Sequence, residues 1–336
     1  MPSPDSLAKS PLPAIQAIFE DEKLSKQVLS AAKRISKKRT ASDVPPESPV
    51  KRKKTSNTGE PLDPADLEAS LTLPESKADE PELADVILYT NRAPLVLAFA
   101  VTLLKYTMPS QPLSSRLSLA QAVVSMNSKA KAISLGIERS NSADNEGWGR
   151  GQPKTLIMGR DVSVIKRWGY EWKEKSEAET GKVDDSQETL KQEEQASEEP
   201  ALWGLDLEAL RSSNSPLVSG AQGVNSSGLP VYSAGSARAY LLKSFASAPP
   251  AAEEASPKKK SAAALRVEKD RNLALLLHAL DLLYESWAHV LGRDELDRRA
   301  WAWYVAVRPE VQNGVAGWGG KGEVKLSRIL DLRRKG

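Results

Sequence analysis

The 336-residue chain contains no cysteine, which excludes disulfides, thiolate metal sites and thiol nucleophiles and suits a reducing compartment. Histidine is almost as scarce. His278 and His289 are the two in the chain, and on one helix they fall about three turns apart rather than side by side for a metal ion. Long apolar runs are missing too: the most apolar window, Pro94 to Leu104, is far shorter than the ~20 residues that span a bilayer and is followed by Lys105. It reads as a buried helix, and no membrane partner is expected. Met1 to Ser10 holds prolines and an acid where a secretory signal needs apolar residues, so no export signal is expected there.

Motifs that carry chemistry are equally thin. There is no G-x-S-x-G elbow and no dinucleotide fingerprint, and Gly314 to Lys321 offers glycines and a lysine without the Ser or Thr that completes a P-loop. Carboxylates are plentiful, but they alternate with Lys and Arg or crowd into one acidic stretch, as solvated faces do. No catalytic residue, cofactor or metal is therefore expected. The alternative, an enzyme of unfamiliar type, would need a pocket between the helices lined by paired acids of raised pKa. A net charge of +3 is too small for a whole-molecule field; its distribution is more informative.

Residues 1–81 are rich in Pro, Ser, Lys and Glu and cannot bury enough surface to offset the entropy of ordering, so a disordered tail is expected. One apolar patch, Ile15, Ile18, Phe19 and Leu24, is either a short docking helix or incidental. The rest reads as mainly α: one helical domain of orthogonal-bundle type, built from residues 82–172, 201–246 and 263–336. Two polar stretches interrupt it. Residues 173–200 carry ten Asp or Glu against four Lys, and 247–262 form an Ala/Pro-rich linker that turns basic at Lys258, Lys259 and Lys260.

Pro94 suits the first turn of a helix reaching Tyr106. Ser114 or Ser115 can cap a second helix that Gly136 ends after Leu135. Thr155 to Met158 reads as a short strand, and Asp161 as the N-cap of a helix over Val162 to Trp168 with Trp168 turned inward. Leu202 to Leu210 and Ala237 to Phe245 read as short helices. The strongest periodicity is Leu273, Leu276, Leu277, Leu280, Leu283 or Tyr284, Trp287 and Leu291. Asp294 reads as the N-cap of a helix that stops at Arg308 because Pro309 follows, and a last helix covers 325–334.

Two basic blocks, Lys33, Arg34, Lys37, Lys38, Arg39 and Lys51, Arg52, Lys53, Lys54, stand in the flexible tail in the form a nuclear import receptor reads. Localisation in the nucleus follows as an expectation. Ser48 and Ser256 each begin a Ser-Pro-x-Lys pattern beside lysines, where phosphate would add up to about two negative charges. Trp148 with Arg150, and Trp318 with Lys321, occupy Gly-rich loops that either stack and pair along a nucleic-acid strand or merely anchor their loops on the core. Trp301 and Trp303 cannot both face one way on a helix, and Trp303 is the candidate partner contact. Arg333, Arg334 and Lys335 form a basic end. The function these features suggest is a non-catalytic subunit or scaffold of a nuclear assembly, an unidentified complex in contact with DNA or RNA.

Overall fold

Helix dominates the computed structural model, as the 3.6-residue periodicities predict, with two small antiparallel sheets added. Described are Ile15, Leu29 and residues 63–139, 143–172, 199–213, 229–248 and 261–334. The chain divides into two compact units, Met1–Glu60 and Pro61–Gly336. In the first, Ile15 and Leu29 are helical and Ile15 is buried. Both basic blocks, Ser48, Ser256 and Lys335 lie outside the described residues.

The second unit opens with α1 (Pro64–Leu71) and α2 (Glu80–Ala84), each with a proline in its first turn. Order thus begins well before residue 82, the start that the composition suggests. The reason is tethering: α1 buries Leu71, and its Glu68 accepts hydrogen bonds from Tyr170 Oη (2.7 Å) and from the Ser114 N–H (2.9 Å). Strand β1 (Ile87–Asn91) leads into α3 (Arg92–Thr107), in which every residue from Pro94 to Leu104 is buried. Pro94 costs this helix no hydrogen bond, since the first four N–H groups have no partner within the helix. Helix α4 (Leu113–Ser134) has no side-chain cap of its own; Glu68 supplies one from α1. It ends at Gly136, φ 70°, where the N–H groups of Gly136 and Ile137 donate to Ile133 and Ala132, a Schellman closure.

Strands β2 (Lys154–Ile157), β3 (Arg160–Arg167) and β4 (Ala201–Gly204) form one antiparallel sheet. The helix expected over Val162 to Trp168 is therefore a strand. Val162 and Val164 alternate inward, Trp168 is 73% exposed, and the backbone of Val164 to Arg167 pairs with Ala201 to Gly204. The expected helix from Leu202 is likewise corrected: β4 occupies its first residues, and α5 (Leu207–Ser213) follows.

Helix α6 (Ala234–Ser244), capped by Ser233, precedes β5 (Ala246–Ser247) and the long α7 (Ala262–Ala288), capped by Ser261. Helix α8 (Arg293–Val307) has Gly292 at its N-cap rather than Asp294; Asp294 and Glu295 lie in its first turn, where the helix dipole favours them. A 3-10 turn (Val315–Gly317), β6 (Lys321–Lys325) and α9 (Leu326–Leu330) close the unit. The sequence predicts a single helix over 325–334. Instead β6 pairs with β1 and takes Lys325, because its alternating residues bury Val324 against that edge. β1 stands between β5 and β6 in the second sheet.

Helices α4, α6, α7 and α8 pack around α3. Phe99 meets Tyr284 and Tyr304 edge-on (6.4 and 5.9 Å), and Tyr284 meets Trp303 the same way. These contacts extend through Tyr304 to Trp301 (5.1 Å), joining the core to a surface cleft. Among the described residues no helix is long and apolar enough to cross a membrane.

Candidate functional site

The hairpin joining β2 and β3 turns on two residues, Met158 and Gly159, between the paired Ile157 and Arg160. Both have positive φ, 49° and 71°, the conformation that lets a two-residue loop follow the strand twist. For methionine this conformation is costly. Two features offset the cost: the Met158 side chain is buried in the core, and Asp297 of α8 accepts both turn N–H groups, from Met158 at 2.6 Å and from Gly159 at 2.8 Å. Burial raises the Asp297 carboxyl above its ordinary value, with the two N–H groups and Arg293 opposing.

One turn further along α8, Trp301 receives what the hairpin delivers. The Arg160 guanidinium lies over its ring, 5.7 Å from the centroid, while Arg160 Nε donates to Asn127 Oδ1 (2.9 Å). Tyr304 follows on the same helix. Burial pushes its hydroxyl up to about 12, and Arg92 and Arg308 both act against that shift, which places the two guanidinium groups near it. Arg92 Nε donates to the Pro309 carbonyl (3.2 Å).

Past Arg308 the chain makes a glycine loop whose backbone folds on itself. A Cβ at Gly317 would stand 1.8 Å from the Gln312 carbonyl oxygen, and Gly314 and Gly319 have φ of 72° and 71°. Only glycine tolerates this path. The loop closes one wall of a cleft of about 520 Å³ whose other walls come from α3, α4 and α8, with Arg160 of β3 and Tyr240 of α6, within the ~300–1,000 Å³ of small-ligand sites. Arg92, Lys131, Arg160 and Arg308 line it with Trp301, Tyr304, Tyr240 and Trp318, and among the described residues no carboxylate does. None of the four cations forms an ion pair with a described residue. In the floor, Asn91 Oδ1 and Asn127 Nδ2 are buried without hydrogen-bond partners.

Of the residues singled out from sequence, Trp318 lies in this cleft and is 45% exposed. Trp303 is 7% exposed and packs on Tyr284 and Trp287, while its neighbour Trp301 reaches the cleft. Lys321 starts β6 opposite Asn91 and does not line the cleft. Arg333 pairs with Glu80 (2.7 Å), and Arg334 Nη1 contacts His289 Nε2 (3.2 Å).

Trp148 and Arg150 lie elsewhere, in a loop whose acids Glu146 and Glu208 are paired. Trp148 Nε1 donates to Glu146, Glu146 pairs with Arg211 (3.0 Å), and Arg211 pairs with Glu208 (2.9 Å). Glu208 also accepts from the Ala143 N–H (2.9 Å) and from Lys129. Burial alone would raise the Glu208 carboxyl, but these donors outweigh it and hold it below its ordinary value. A second cavity, about 420 Å³, has Lys105 and Arg116 in its lining but also Glu75 and Asp281, and Asp281 pairs with Lys105 at 2.7 Å.

The cations that meet at the cleft stand at positions 92, 131, 160 and 308, too far apart to form a motif. The signals available in sequence were the aromatic glycine loop at Trp318 and the opposed facing of Trp301 and Trp303. Among the described residues no group of His, Asp and Glu is placed to hold a metal. Comparison with known protein families, characterised proteins and solved structures finds no match, so the functional reading rests on the chemistry of the cleft.

Proposed function

We propose that the chain is a non-catalytic subunit or scaffold of a nuclear, DNA- or RNA-associated assembly, and that its helical body, on this reading an orthogonal bundle, contacts nucleic acid at the cleft as well as through its basic segments. The observation that carries the reading is the charge of the cleft: four cations converge with aromatic rings and no described carboxylate stands among them. Such a surface favours a polyanion, whose condensed counterions are released on contact. Asp297, the carboxylate raised by burial, accepts the hairpin amides behind the cleft and does not line it. The blocks at Lys33 to Arg39 and Lys51 to Lys54 are read by an import receptor. Phosphate on Ser48 weakens that contact by repelling acidic groups of the receptor and neutralising adjacent lysines, and phosphate on Ser256 weakens polyanion contact at Lys258 to Lys260.

Two measurements test this. The protein fused to a fluorescent reporter accumulates in nuclei, and replacing Lys51, Arg52, Lys53 and Lys54 by alanine abolishes accumulation; cytosolic retention of the intact chain refutes the compartment. Purified protein binds oligonucleotides at about 50 mM salt and loses most of that affinity by about 200 mM. Failure to bind at the lower salt removes nucleic acid from the proposal and leaves a protein partner.

A further inference from the structure

We infer that the cleft takes an unpaired nucleotide of single-stranded DNA or RNA, with a base on Trp318 and adjoining phosphates on Arg92, Arg308 and Lys131. The inference rests on the nucleic-acid reading above and adds which form of nucleic acid the site accepts. A duplex keeps its base faces stacked and is read by an element that projects into a groove about 12 Å wide, whereas these cations line a concavity of about 520 Å³. A strand whose bases can swing out reaches the cations and rings together; a duplex reaches only the rim.

Trp301 is already covered, by Arg160 on its face and Tyr304 at 5.1 Å. Trp318 is 45% exposed and has no aromatic or cationic ring partner among the described residues, so it is the open platform on which a base stacks whatever its identity.

The test uses the full chain and fluorescence anisotropy with labelled single-stranded DNA, single-stranded RNA and a duplex of matched length. Both single strands bind more tightly than the duplex, and the ratio between them states which the site prefers. Trp318→Ala weakens single-strand binding about 5- to 150-fold, and Trp318→Phe recovers most of the loss. Arg308→Ala lowers the salt dependence, the slope of log K against log salt, by about 0.7. Trp148→Ala leaves binding unchanged. Because Trp318 and Arg308 are both exposed, thermal melts establish that each variant is folded.

Duplex binding as tight as single-strand binding overturns the inference, as does single-strand affinity indifferent to Trp318→Ala in a folded protein. Tighter binding of a phosphoserine peptide at the cleft does the same. In the first two cases the nucleic-acid reading survives, carried by the basic segments. Absence of binding by every oligonucleotide at low salt removes both.

Discussion

Trp148 and Trp318 each stand in a run of glycines beside a cation, yet one loop satisfies itself and the other faces a cleft. Around Trp148 the acids Asp144, Glu146 and Glu208 meet Lys129, Lys154 and Arg211, so charge closes inward. Around Trp318 the cations arrive from distant parts of the chain and no described acid answers them. The comparison teaches that glycine and tryptophan together mark a turn with an anchor. Whether the turn presents a site depends on which charges the fold brings to it, and local composition does not specify that.

The sharpest way to break the comparison is to add one methyl group to each loop. At Gly317 the new Cβ would stand 1.8 Å from the backbone oxygen of Gln312, whereas at Gly149 it would meet the Leu207 and Ser163 side chains at 3.2 Å. Backbone cannot rotate aside as a side chain can. Gly317→Ala is expected to cost about 3 kcal/mol and Gly149→Ala about 1 kcal/mol, measured as shifts in urea midpoint, with the preference for single strands over duplex lost in the first variant alone. Equal shifts would show that the glycine loop does not hold the path seen here.

A second test removes the link between hairpin and cleft. Asp297→Ala leaves the Met158 and Gly159 N–H groups without their acceptor and Met158 without support for its positive φ. Losing hydrogen bonds to a buried carboxylate costs about 2 kcal/mol once the relief of its raised pKa is allowed for. Glu208→Ala, which frees the Trp148 loop instead, costs about 1 kcal/mol, since its ion pairs are half-exposed. The Asp297 variant also releases Arg160 from Trp301, and near-ultraviolet circular dichroism reports the change in tryptophan environment. An unchanged spectrum would mean that Arg160 is placed without the hairpin clamp.

The parts of the fold legible in sequence are those whose stabilisation is local. The all-round apolar character of α3 required a central position, Gly136 ended α4, Pro309 ended α8, and the leucine spacing of α7 named its buried face. Strand β3 was hidden because Val164, Ile165 and Trp168 also fit a helical spacing, and its partner β4 is separated from it by the acidic stretch 173–200. β6 was hidden likewise, pairing with β1 more than 200 residues earlier. At the cleft, Trp318 was legible from its glycines and the conflict of Trp301 with Trp303 from helix geometry. Which of the two faced outward was settled by packing on Trp287 and Tyr284, a tertiary matter.

The smallest effect sharpens the comparison by sign. Glu208 is held below its ordinary pKa, so its contribution to stability is present above the unfolded-state value and fades as pH falls through the folded one. Asp297 is held above its ordinary pKa, so between the unfolded and folded values the native state binds more protons than the unfolded state, and stability falls as pH rises across that window. The two carboxylates therefore pull the pH–stability curve in opposite directions. Urea midpoints measured from neutral pH into the acid range should show Glu208→Gln flattening the acid-side loss, by about 0.5 kcal/mol for a screened, half-exposed pair. Asp297→Asn should remove the decline on the higher-pH side of the carboxylate range. If both variants shift the curve in the same direction, the two acids do not have the opposed environments that separate a self-neutralised loop from a buried clamp.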